Sequence, residues 1–243
     1  MSMNFLKSSI WIVLIVLNFM MDHSFASDSE QLLKQRALIA VINLHTMTHK
    51  KGLYESIYRE EEKLAQNTIS RHSTHKYFKI VYLTQLEATR ENFLTQVKRF
   101  QNDPNISAID VIFYLHGHSS ADYPTPEICF VSENHQCYPS TKLSDDLIGN
   151  SKLRALYSDA CHGHEQNEDM IVAGFKVVAG SKGTDSNFML DMKRFLKKWT
   201  QGESFQDSIH YANQTRLGKI MDRLGHGDSE KIVLGNGAIT IND

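Results

Sequence analysis

Apolar and polar positions alternate along this chain in two rhythms. Short apolar runs occur at residues 36–45 (RALIAVINLH), 77–84 (YFKIVYLT), 109–115 (IDVIFYL), 153–157 and 175–179 (FKVVA). Runs of this length, rich in β-branched and aromatic residues, predict strands, and the near-continuous apolar character of 109–115 predicts a central one. Between them, residues 50–69 read as helix and loop, and residues 87–101 carry Phe93, Leu94, Val97 and Phe100 at helical spacing. Further helices are predicted at 191–200 and 205–214. Strands alternating with helices build βαβ units, so the expected fold class is α/β, a three-layer α/β/α sandwich around a mostly parallel central sheet. In such sheets sites gather beyond the carboxyl ends of the central strands.

The punctuation of the chain points to one domain. Pro124, Pro126 and Pro139 fall between residues 121 and 140 and predict an irregular excursion there, while Gly225, Gly227, Gly235 and Gly237 read as turn residues. The first 26 residues are of another kind. Lys7, the apolar run at 8–21 and Ser24-Phe25-Ala26 have the order of a signal peptide cleaved after Ala26. The alternative is an uncleaved anchor, for which the run is short. Residues 27–243 then form a secreted or periplasmic α/β domain with no stable membrane insertion after cleavage.

Composition narrows the partners. A net charge of -2 leaves no basic footprint for nucleic acid and no polybasic patch for a membrane surface. Export also changes the reading of the three cysteines, because oxidising compartments permit disulfides. Cys129 and Cys137 lie in ICFVSENHQC, which reads as two short strands around a polar turn. They are placed to pair across it, the alternative being three buried thiols. Cys161 is left over and becomes a candidate reactive thiol.

Two strand ends carry the candidate chemistry. The strand at 109–115 runs into His116-Gly117-His118-Ser119, and that at 153–157 into Ser158-Asp159-Ala160-Cys161-His162-Gly163. If these strands are neighbours, a histidine and a cysteine share one edge of the sheet. Thiol attack on an acyl carbon needs that pairing, with the imidazole taking the thiol proton and backbone N–H groups holding the oxyanion. The segments DVIFYLHG at 110–117 and LRALYSDACHG at 153–163 resemble the two strand ends of the caspase-like cysteine peptidases (caspases, metacaspases, legumains and clostripains). The stretch GFKVVAGSKGTDSN is similar to the region that follows the cysteine in that group, and the resemblance spans roughly residues 37–214.

The resemblance implies a caspase-like fold and a cysteine endopeptidase acting on a peptide or protein substrate without a cofactor. It implies Cys161 as nucleophile, His116 as acid–base, and the Gly117 and Cys161 amides as oxyanion donors. Asp159 would lie in the pocket for the residue before the scissile bond and favour lysine or arginine there. Several relatives read Gly-His-Gly, and aligning Gly117-His118-Ser119 to that motif makes His118 catalytic instead. Two other readings remain. One is a catalytically silent caspase-like module that binds a partner. The other is a metal-dependent hydrolase in which His116, His118, His162 and His164 bind a metal ion, with Asp159 or Glu165 as an oxygen ligand. There is no Gly-x-Ser-x-Gly elbow, Walker A loop or dinucleotide fingerprint.

Overall fold

The structure is a computed structural model that describes residues 35–44, 53–132, 136–185, 189–224 and 227–243. The expected signal peptide at 1–26, and Gly225 among the expected turn residues, lie outside the described residues. The main sheet contains β1 (Arg36–Asn43), β2 (Lys79–Thr84), β3 (Ala108–His118), β6 (Leu153–Ser158), β7 (Val177–Ser181) and β8 (Lys231–Gly235). Its order is β2-β1-β3-β6-β7-β8. Every pairing is parallel except that of β8 with β7. A small antiparallel extension, β4 (Glu127–Cys129) and β5 (Tyr138–Pro139), pairs with the projecting end of β3.

Side-chain alternation along the strands divides the core into two layers. Ile39 and Val41 of β1 and Val111 and Phe113 of β3 meet Phe93, Val97 and Phe100 of α2 (Arg90–Asn102). On the same face lie α3 (Ser140–Leu147) and α4 (Asn167–Val172). Leu38 and Ile42 of β1 and Ile112 and Tyr114 of β3 point the other way. There they meet α1 (Leu53–Ser73), α5 (Leu190–Trp199) and α6 (Phe205–Ala212). A further helix, α7 (Arg216–Arg223), precedes β8. The molecule is therefore an α/β/α sandwich with a mostly parallel sheet. No helix among the described residues is long and apolar enough to cross a membrane.

One polar group inside β3 needs an explanation. Asp110 is buried, and it accepts from Arg154 Nε of β6 at 2.8 Å and from the Tyr77 hydroxyl at 2.7 Å. Trp199 Nε1 donates to that hydroxyl at 3.1 Å. A charge inside the sheet is tolerable only when paired and fully hydrogen-bonded, as here.

Helices α3, α4 and α7 were not anticipated, β2 begins at Lys79 and not at 77, and three further strands differ from the sequence reading. β3 runs to His118, beyond residue 115, because β4 pairs with residues 116–118. β7 begins at Val177, not at 175, because Gly174, at φ 114°, turns the chain and Phe175 drops into the core beside α4. β8 was not foreseen at all. It opens on a lysine, and Ile232 and Leu234 are exposed, so neither strand pattern shows.

Candidate active site

β3 and β6 are neighbours, aligned from Asp110↔Ala155 to Phe113↔Ser158. β3 continues past that register, so His116-Gly117-His118 lies alongside the turn that leaves β6. The Asp159 amide donates to the Phe113 carbonyl at 2.8 Å, and the chain then bends away. Gly117 rests directly on the cysteine. A Cβ at this position would lie 2.5 Å from the Cys161 carbonyl oxygen and 3.0 Å from Ala160 Cβ. Only glycine permits that approach. On the other side, a Cβ on Gly180 of β7 would overlap the Gly163 peptide. The turn from 159 to 163 is thus wedged between two strand ends.

Polar contacts lock the wedge. His162 takes a left-handed conformation at φ 55°, and its amide donates to the Gly183 carbonyl at 2.8 Å. Glu165 accepts from the Ser119 hydroxyl at 2.8 Å and from the Ser120 amide at 2.8 Å and hydroxyl at 2.6 Å. Burial works against the Glu165 charge, but those donors outweigh it and hold the carboxyl below its ordinary value. The end of β3 and the cysteine turn are therefore tied by backbone contact and by a carboxylate.

His116 is oriented from two directions. Its ring stands edge-on to Tyr58 of α1 with centroids 5.6 Å apart, and its Nε2 lies 3.0 Å from the Leu44 carbonyl oxygen at the end of β1. A carbonyl only accepts, so Nε2 carries the proton and Nδ1 is the basic nitrogen. Burial pulls the imidazole pKa below 6.5, which keeps the ring neutral at neutral pH. His118, two residues on, packs against Tyr123 at 4.6 Å between ring centroids.

Cys161 is a free, half-buried thiol. Burial pushes its pKa above 9.0, although the Asp185 backbone N–H at the sulfur opposes that shift. With the imidazole lowered and the thiol raised, each group rests uncharged, as a neutral imidazole and a neutral thiol.

Asp159 is engaged by a residue that no motif flagged. The Lys231 ammonium of β8 lies 2.5 Å from Asp159 Oδ1, 2.6 Å from Asp185 Oδ2 and 2.8 Å from Asp191 Oδ2. It also donates to the Ser181 hydroxyl at 2.9 Å, and the Tyr157 hydroxyl donates to Asp159 Oδ1 at 3.1 Å. Burial, then Asp191, raises the Asp159 carboxyl well above its usual range, against the pull of Lys231. The lysine stays charged because three carboxylates outweigh its own desolvation. The signal that could have found it is a lone lysine heading the apolar run IVL.

The four histidines do not converge. His162 Nδ1 lies 3.4 Å from Glu165 Oε1, and His164 Nδ1 lies 3.3 Å from the Ser181 carbonyl oxygen. Among the described residues, two sets bring potential ligand atoms within 4.8 Å of one another. They are His118 with Cys129 and Cys137, and Asp159 with Asp185 and Asp191. The two cysteines are joined to each other as a disulfide, which removes their thiolates, and the carboxylates already hold Lys231. The set of His116, His118, His162 and His164 is therefore not assembled. The disulfide spans the β4–β5 hairpin, whose residues 133–135 lie outside the described residues. Comparison with protein-family models finds no match to this chain, and comparison with curated proteins finds none either.

Proposed function

We propose that the chain is an exported cysteine peptidase of the caspase-like group, with Cys161 as nucleophile and His116 as its base. One observation carries the reading. Two adjacent parallel strands bring the Gly117 backbone onto the Cys161 peptide, beside an imidazole whose tautomer is set by the Leu44 carbonyl. The His-then-Cys order at those strand ends is what the resemblance to caspase-like peptidases rests on. The Cys129–Cys137 disulfide suits an oxidising destination, in keeping with a signal peptide at 1–26.

The proposed chemistry starts from a neutral thiol and a neutral imidazole. As the Cys161 sulfur attacks a peptide carbonyl, its proton passes to His116 Nδ1. The Gly117 and Cys161 amides receive the oxyanion. Collapse breaks the C–N bond, and the amine leaves with the proton from His116. Water, deprotonated by the same Nδ1, then attacks the thioester and releases acid and free thiol. His116 serves in preference to His118 because it is the ring fixed by the Leu44 carbonyl, whereas His118 packs on Tyr123.

A silent binding module with the same fold is the second reading, and the raised thiol pKa is the observation in its favour. Incubation of the purified protein with an unfolded protein substrate, with new termini identified by mass spectrometry, separates the two. Cleavage lost in Cys161→Ala supports the peptidase. Cleavage that persists in that variant, or none by folded wild type, removes it.

A further inference from the structure

The acidic pocket beside Cys161 is filled by the chain itself. Asp159 lies two residues before Cys161, and Asp185 contributes its carboxylate to the pocket and its backbone N–H to the Cys161 sulfur. The pocket and the nucleophile therefore share a residue. Side-chain exposure is 3% for Asp159, 1% for Asp191 and 0% for Lys231, but 9% for Asp185, so Asp185 is the group nearest to solvent. Lys231 enters from β8. Its backbone pairs with Ser181 of β7, and Asn213 flanks it, donating to its carbonyl at 2.9 Å and accepting from its amide at 2.9 Å. A lysine held at both backbone groups does not swing out as a surface lysine would.

We propose that Lys231 is the specificity-determining residue of this site, an internal cation that occupies the Asp159–Asp185–Asp191 pocket and excludes lysine or arginine of a substrate from it. The proposal rests on the reading of Cys161 as nucleophile, since the pocket is taken to face the residue before the scissile bond. A second cation at the same three carboxylates meets the Lys231 ammonium at close range. The residue accepted there is uncharged. Asp159 Oδ2, buried without a hydrogen-bond partner, marks the remaining unmet polarity of the pocket. Removing the lysine side chain leaves a cation-shaped space lined by carboxylates.

The test compares wild type with Lys231→Ala, which opens the space, and Lys231→Met, which fills it without charge. Two acyloxymethyl ketones are used, identical except for norleucine or arginine at the reactive end, together with n-propylammonium chloride as a small cation. Wild type and Lys231→Met should react faster with the norleucine probe, and Lys231→Ala with the arginine probe. The difference should be about a hundredfold, the size that like charges in one pocket impose. Propylammonium should raise the melting temperature of Lys231→Ala, or restore its folding, with no effect on wild type beyond that of sodium chloride. A wild-type preference for the arginine probe overturns the proposal. So does failure of propylammonium to stabilise or restore Lys231→Ala. If neither ketone labels wild type, the nucleophile reading fails, and the propylammonium melt still decides whether Lys231 plugs a cation pocket.

Discussion

Gly117→Ala probes the contact on which the site is built. The added methyl would lie 2.5 Å from the Cys161 carbonyl oxygen, 3.0 Å from Ala160 Cβ and 3.2 Å from Gln166 Nε2. Carbon meets a carbonyl oxygen at ~3.3 Å, so β3 and the cysteine turn must part by about 0.8 Å. The first obstacle is backbone, held on its far side by the Gly163–Gly180 contact, and cannot rotate away. Overpacking of this kind costs about 1–3 kcal/mol. A shift approaching an ångström between catalytic groups costs about a hundredfold in rate. The variant keeps the Gly117 amide, so any loss reports position and not the removal of a donor. Urea unfolding should show the stability loss. Alkylation of Cys161 by iodoacetamide should stay within a few-fold, about the spread expected of an unassisted thiol, while peptidyl ketone labelling falls about a hundredfold. Wild-type stability together with wild-type ketone labelling would refute the reasoning.

Other consequences are equally direct. Asp110→Ala strands the Arg154 guanidinium in the core and should cost about 3–5 kcal/mol in urea unfolding, with ketone labelling of the folded fraction retained, since the pair lies at the opposite end of β3 from His116. His116 has a folded pKa below 6.5, so the unfolded chain takes up its proton first. Its contribution to stability is complete above that value and lost as pH falls through the window below it, a dependence that His116→Gln should abolish in pH-dependent melts. The same shift keeps the base neutral, so the acid limb of ketone labelling should fall below 6.5, whereas plain alkylation of Cys161 in His116→Ala should rise with a midpoint above 9.0. Replacing Cys129 and Cys137 together by serine reopens a loop of sequence separation 8. By loop entropy that should cost about 2–3 kcal/mol, read as a lower urea midpoint.

The parts of the fold legible in the sequence were those buried on both faces. β1 is buried at every position and β3 at most of them, so both show as continuous apolar runs, and their neighbours follow from βαβ logic. The His-Gly and Asp-Ala-Cys strand ends were legible because the proposed chemistry rests on side chains close in sequence to those runs. The supports were not. The group that orients His116 is the Leu44 carbonyl, and a backbone oxygen leaves no mark on composition. Lys231 reaches Asp159 from an edge strand far along the chain, and its complete burial follows only from Asp185 and Asp191 converging on the same point. The short α3 shows no amphipathic run long enough to read, because two of its four inward positions are Ser140 and Ser144.

The central claim is that His116 draws the proton from Cys161 as the thiol attacks. The most direct measurement is the rate of Cys161 labelling by a peptidyl acyloxymethyl ketone with a neutral terminal residue in wild type, His116→Ala and His118→Ala, with iodoacetamide labelling as a control for thiol access. The account predicts that His116→Ala loses about a hundredfold or more in ketone labelling, the scale of general acid–base catalysis, while His118→Ala and both control rates stay near wild type. Equal ketone labelling in wild type and His116→Ala, with the thiol accessible in both, would contradict it.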